Sequence, residues 1–152
     1  MTGRDGAATA YEGGCLCGGV RYRFAGAPIV AGYCHCRLCR RAAGASVVAL
    51  AVFPRAAFAL ARGATRTYDT SARGRRHFCP DCGTPLFFEP LDDPDRIEVM
   101  LGTLDDPNAL RPGFHIWMSS AVPWLNLVDD LPRFPEGRPP GFGESGRAPP
   151  GP

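Results

Sequence analysis

The chain has 152 residues, 17 basic and 15 acidic, with 45% apolar and 21% charged side chains, the proportions of one globular domain with a real core. A net charge of +2 is too small to argue for nucleic acid or an anionic membrane as a partner, and no run approaches the ~20 apolar residues of a membrane helix. All the basic residues are Arg, which excludes a Lys Schiff base and a Lys-cradled phosphate loop.

In chain order, Met1 to Ala10 lacks an apolar leader and reads as a flexible amino terminus, so the cytoplasm is the expected compartment. Val20, Tyr22 and Phe24 alternate with Arg21 and Arg23, the period of a half-buried strand. Arg37 to Ala43 can form a short helix stopped at Gly44, and Ser46 to Phe53 is a β-rich apolar run closed by Pro54. A second helical turn is expected over Pro54 to Leu60. Thr65 to Thr70 and Arg75 to Phe78 flank a Ser71-Ala72-Arg73-Gly74 turn as a hairpin. Leu86 to Glu89 and Phe114 to Met118 are short and aromatic-rich, and Ile97, Val99 and Leu101 alternate with polar or flexible neighbours. Pro135 to Pro152 holds 11 glycines and prolines and few apolar side chains, so it reads as a disordered tail behind a folded unit of residues 11–134. The pattern predicts a small antiparallel all-β domain with very little helix.

Seven cysteines carry the chemistry: Cys15, Cys17, Cys34, Cys36, Cys39, Cys79 and Cys82. An odd count with tight spacings in a reducing compartment points to metal ligands rather than disulfides. Cys79-Pro80-Asp81-Cys82-Gly83 is a zinc knuckle, and Cys15-Leu16-Cys17-Gly18-Gly19 is a second compact pair. Each pair lies beside a strand, so Cys15, Cys17, Cys79 and Cys82 form the best closed, structural site. Cys34-His35-Cys36-Arg37-Leu38-Cys39 offers three thiolates to one ion and matches neither common ferredoxin spacing. Three ligands with an open position make a catalytic zinc; completion by His35, His77 or an acidic residue would make a second closed site. Arg37 lies within the triad and Arg40 and Arg41 immediately after it, where they can stabilise thiolates or attract anionic ligands. His115, Trp117 and Trp124 read either as packed residues or as the lining of a ligand pocket.

Taken together, Gly14 to Tyr22, Cys34 to Arg40, Phe78 to Thr84, Gly102 to Pro107, and His115-Ile116-Trp117 with Pro123-Trp124 resemble the glutathione-dependent formaldehyde-activating enzyme (GFA) family, which includes centromere protein V. The resemblance spans roughly residues 11–134 and all seven cysteines. It implies a β-tent fold with two zinc ions per chain: structural at Cys15, Cys17, Cys79 and Cys82, catalytic at Cys34, Cys36 and Cys39. It also implies a carbon–sulfur lyase-type enzyme whose small thiol partner is glutathione and whose aldehyde is formaldehyde, giving S-(hydroxymethyl)glutathione. On this reading Arg37, Arg40 or Arg41 holds a ligand carboxylate, and water, His35 or His115 supplies the proton for the developing alkoxide. The alternative is a non-catalytic zinc-stapled binding module of the centromere protein V type. A methionine sulfoxide reductase B ranks third, because that enzyme carries two C-x₂-C pairs and a separate redox Cys, whereas this chain has one plain C-x₂-C pair plus the C-x-C-x₂-C triad.

Overall fold

A computed structural model describes residues 9–144. Its strands are β1 (Ala10–Gly14), β2 (Arg21–Ala25), β3 (Val30–Cys34), β4 (Val48–Pro54), β5 (Phe58–Arg62), β6 (Arg66–Ser71), β7 (Gly74–Phe78), β8 (Pro85–Pro90), β9 (Arg96–Met100) and β10 (His115–Ile116). The single α-helix among the described residues, α1 (Arg37–Ala43), ends at Gly44 in the left-handed conformation (φ 62°), the expected stop. The strands form two sheets, β1-β2-β5 and β10-β3-β4-β9-β8-β7-β6. Every pairing is antiparallel except that of β10 with β3, where His115 lies opposite Tyr33 and the two rings stack at 4.8 Å.

The period-two pattern decides what each face of the larger sheet meets. Ala51 and Phe53 of β4, Ile97 and Val99 of β9, and Phe87 of β8 point into the core, where they meet Tyr22 and Phe24 of the smaller sheet. Phe24 stacks on Phe53 at 4.2 Å, and Tyr22 meets Phe87 edge-on at 4.9 Å. Each such pair adds about 0.5–1.5 kcal/mol beyond its area burial. The Tyr22 hydroxyl reaches Thr103 Oγ1 at 2.8 Å, so its one polar atom is satisfied. Burial pushes the Tyr22 phenol up to about 12, against the opposing Thr103 hydrogen bond. The intervening residues Leu50, Val52, Phe88 and Glu98 face the other way and line a cavity.

Three expectations change. Over Pro54 to Leu60 only Arg55–Ala57 makes a turn, of 3-10 type, and Phe58 begins β5. Phe58 pairs with Phe24 in register and packs against Phe24 and Phe87 at 5.2 and 4.8 Å, so tertiary packing overrides the local helical tendency. At the amino end, Ala10 already pairs with Ala25, and Thr9 O accepts from Gly26 N at 2.7 Å. The expected flexible segment therefore overlaps β1, and residues 1–8 lie outside the described residues. At the carboxyl end, residues 135–144 are docked where the Pro/Gly composition predicted disorder. Pro135 and Glu136 accept from Ser119 N and Trp117 N at 3.1 and 2.8 Å. Phe142 packs on Phe134 and Phe114, and Glu144 pairs with Arg138 and Arg96 at 2.8 and 3.3 Å. One aromatic anchor and two ion pairs offset the ordering entropy that composition alone leaves uncompensated. Residues 145–152 lie outside the described residues.

Gly32 in β3 permits a close approach: a Cβ there would overlap the Phe114 ring. Gly32→Ala should cost about 1–3 kcal/mol and lower the melting temperature by several degrees. Gly102→Ala, where a Cβ meets open space, should melt almost as the parent does.

Candidate metal centres and the cavity beside them

Cys15 and Cys17 occupy the β1–β2 turn, and Cys79 and Cys82 occupy the β7–β8 turn. The sheets bring these turns together so that all four Sγ atoms lie within 4.8 Å of one another. Cys15 Sγ is 3.5 Å from Cys17 Sγ, which is 3.8 Å from Cys79 Sγ. A disulfide needs ~2.0 Å, whereas the edge of a zinc–sulfur tetrahedron with ~2.3 Å bonds is ~3.8 Å. The donor set and its spacing therefore fit a four-thiolate metal site. Val20 N donates to Cys15 Sγ at 3.2 Å and Cys82 N to Cys79 Sγ at 3.5 Å. Gly83 adopts φ 75°, which lets its amide turn back to Cys79 O at 3.0 Å. Thr84 joins the two turns: its Oγ1 accepts from Leu16 N at 3.1 Å and lies 3.1 Å from Cys82 Sγ. Hydrogen bonding by Thr84 brings the Cys82 thiol down to about 5.

The second cluster is more local. Cys34 ends β3, Cys36 caps α1, and Cys39 sits in its first turn. Their Sγ atoms also lie within 4.8 Å of one another, and among the described residues no other Cys, His, Asp or Glu completes the group. His35 turns away and meets His115 Nδ1 through its Nε2 at 2.9 Å. His77 meets Thr65 Oγ1 at 2.8 Å and Glu89 at 3.1 Å. Neither closes the triad. Hydrogen bonds from Cys34 and Cys39, then from the Cys39 and Leu38 amides, hold the Cys36 thiol near 2. The contacts with Cys36 and Cys39, with burial, push Cys34 up.

A cavity of about 720 Å³ opens beside this triad, floored by the outer face of the large sheet. Of the three arginines predicted there, only Arg37 lines it. Arg40 is committed to backbone, donating to His35 O at 3.1 Å and Ser120 O at 3.0 Å. Arg41 is exposed and away from the cavity. Arg76, on β7, takes a place the sequence did not single out: its Nη2 lies 3.7 Å from Cys39 Sγ, its Nε donates to Thr70 Oγ1, and its guanidinium lies over Phe88. Arg37 and Arg76 have no carboxylate partner within ion-pair distance among the described residues, whereas Arg96 and Arg138 are paired with Glu144. Trp117 borders the cavity at φ 60°, while Trp124 is exposed and does not.

Glu98 is the other cavity residue that spacing did not reveal. It lies between Val52 and Phe88 on the sheet face, with no hydrogen-bond partner among the described residues. Burial raises its carboxyl to about 7, with Arg76 opposing and Cys36 reinforcing.

Both histidines considered as proton sources lie off the cavity lining. His35 and His115 are buried, and His115 Nε2 meets Asp129 Oδ2 at 3.0 Å. Asp129 also accepts from Leu131 N at 3.1 Å and Arg133 Nη1 at 2.8 Å. Burial keeps His35 below its ordinary value, with the charges of His115, Arg133 and Arg40 adding to that effect. This chain of contacts ties the 129–133 segment to β10 and holds the cavity wall.

With this geometry in place, comparison with known proteins becomes specific. The profile of the glutathione-dependent formaldehyde-activating enzyme family matches residues 10–120, most of the chain. The chain belongs to this family. A Halomonas elongata protein whose name places it in the GFA family is 26% identical over 125 residues, covering 76% of this chain and 80% of its own. The crystal structure of a Rhodobacter sphaeroides protein shares the fold, with a TM-score of 0.52 at 23% identity over 64% of this chain and 90% of that one. The GFA match contains both cysteine clusters, Arg37, Arg76, Glu98 and Trp117, and ends before Asp129 and the docked 135–144 segment.

Asp129 is held at about 2: burial opposes ionisation, but hydrogen bonds from His115, Leu131 N and Arg133 outweigh it. A carboxyl with a depressed folded pKa stabilises the fold above its unfolded value of ~3.9, and that contribution fades as pH falls toward 2. Asp129→Asn should melt lower than the parent at pH 7, and the gap should close between pH 4 and 2. Thermal melts of both proteins across that range check it.

Proposed function

We propose that this GFA-family chain is a zinc-dependent carbon–sulfur lyase-type enzyme acting on adducts of glutathione or another small thiol, such as S-(hydroxymethyl)glutathione formed from formaldehyde. Cys15, Cys17, Cys79 and Cys82 would hold a structural zinc, and Cys34, Cys36 and Cys39 a second. The observation that carries this reading is the three-sulfur cluster, without a fourth protein ligand among the described residues, at the edge of the cavity. Zinc bound there supplies a Lewis acid that lowers the pKa of a thiol toward neutrality.

The chain's own residues do the rest. Arg37 and Arg76 hold ligand carboxylates by charge-assisted hydrogen bonds, replacing the expected set of Arg37, Arg40 and Arg41. Holding the thiol beside the aldehyde turns a bimolecular encounter into a local one. Leu50, Val52 and Phe88 keep the floor apolar, which strengthens each charge contact made above it. Arg40 and the His35–His115–Asp129 contacts fix the backbone around the triad.

Elemental analysis of protein purified without chelator should find two zinc ions per chain. Cys36→Ser should lose one and keep most of the thermal stability. Cys82→Ser should melt far lower or fail to accumulate, because metal binding that joins distant turns is folding free energy. Equal melting of the two variants would make both sites structural.

Calorimetry should detect glutathione binding that strengthens as pH rises toward neutrality, because the metal favours the thiolate. Binding should vanish in Cys36→Ser and weaken about tenfold in Arg37→Ala, the loss of about 1.4 kcal/mol from a charged hydrogen bond. Exchange NMR with formaldehyde then tests the reaction. Absence of thiol binding would favour the binding module, and binding without accelerated exchange would reject formaldehyde as the aldehyde.

A further inference from the structure

The proton required by this chemistry has no carrier among the residues the sequence offered. His35 and His115 are buried in contact with each other and lie off the cavity lining. Glu98 is placed differently. It projects from the middle of β9 onto the cavity floor, with Val52 on one neighbouring strand and Phe88 on the other. Among the described residues no hydrogen bond satisfies its carboxyl, and Glu98 lines the cavity. A carboxylate on an apolar sheet face is costly unless something in the cavity uses it.

We propose that Glu98 is the proton-transferring residue of the thiol–aldehyde reaction. The inference rests on the functional reading above. The Glu98 carboxylate takes the proton from the incoming thiol. The thiolate sulfur then bonds to the aldehyde carbon while the carbonyl π pair moves to oxygen. Glu98 returns the same proton to that oxygen, giving the hydroxymethyl thioether. In reverse, Glu98 removes the hydroxyl proton as the C–S bond breaks and formaldehyde leaves. No proton, electron or co-reactant is consumed in either direction.

The surroundings suit a group that must both accept and release a proton. Arg76 from β7 reaches Cys39 Sγ and also acts on the Glu98 charge, so it stands in the field of both the triad and the carboxyl. The other charged groups lining the cavity are Arg37 on α1, Arg96 on the same strand, Asp92 and Asp93 in the β8–β9 turn, and Arg138 of the docked segment. Asp93 and Arg96 pair with each other at 3.1 Å, and Asp92 pairs with Arg73 at 2.6 Å. Burial raises the Glu98 carboxyl to about 7, against the opposing charge of Arg76.

The test is exchange NMR of glutathione with formaldehyde on zinc-loaded protein, alongside glutathione calorimetry and zinc analysis. Glu98→Gln keeps shape and hydrogen bonding but cannot carry the proton. It should slow exchange about 10²–10⁴-fold, the usual yield of general acid–base catalysis, with the glutathione dissociation constant within about twofold and two zinc ions retained. Glu98→Asp keeps the acid and should recover part of the lost rate. Unchanged exchange in Glu98→Gln, parallel loss of binding and rate, or an Asp variant no faster than the Gln variant would overturn the assignment while leaving the lyase reading intact. No acceleration by the unaltered protein would overturn the assignment together with formaldehyde as the aldehyde, and no glutathione binding would overturn the lyase reading as well.

Discussion

The pleat of one seven-stranded sheet is the constraint on which the rest of the molecule depends. Alternate side chains of β4, β8 and β9 must point to opposite faces. Phe53, Phe87, Ile97 and Val99 close the core against Tyr22 and Phe24, and Val52, Phe88 and Glu98 are thereby committed to the cavity. Stability and chemistry are written on the same strands, one residue apart. A slip of one residue in register would exchange the two sets, so the core specifies the cavity.

The two sulfur clusters use this frame in different ways. Cys15 and Cys17 are 62 or more residues from Cys79 and Cys82 in the chain and meet only because two turns converge. Cys34, Cys36 and Cys39 gather within one strand end and one helical turn, where the chain needs little long-range order to bring them together. Loss of any member of the first arrangement costs the fold heavily, because each ligand also closes a long loop. The second leaves its environment free to be shaped by the cavity, through Arg76 at Cys39 and Arg37 beside Cys36.

What could be read from the sequence follows the same division. Ligand spacing is local, so both cysteine groups and the helix from Arg37 to Gly44 were legible. The alternation at Ile97, Val99 and Leu101 was legible too, but a period of two says only that Glu98 leaves the core. It cannot tell solvent from a cavity made by other strands. Arg76 escaped notice for the same reason, being one polar residue in a hairpin until β7 is set beside the triad. Proximity in sequence misled at Arg40, whose side chain folds back to His35 O and Ser120 O. Composition misled at residues 135–144, where Phe142 and Glu144 find partners that a Pro/Gly count does not register.

The account's central claim is that the two centres differ by one ligand, four sulfurs at one and three at the other. Zinc K-edge X-ray absorption of the zinc-loaded protein measures this directly. The account predicts a mean shell of between three and four sulfurs per zinc, completed by a lighter atom, that becomes wholly sulfur when glutathione is added. Four sulfurs per zinc before any thiol is present, or a shell that glutathione leaves unchanged, would contradict it.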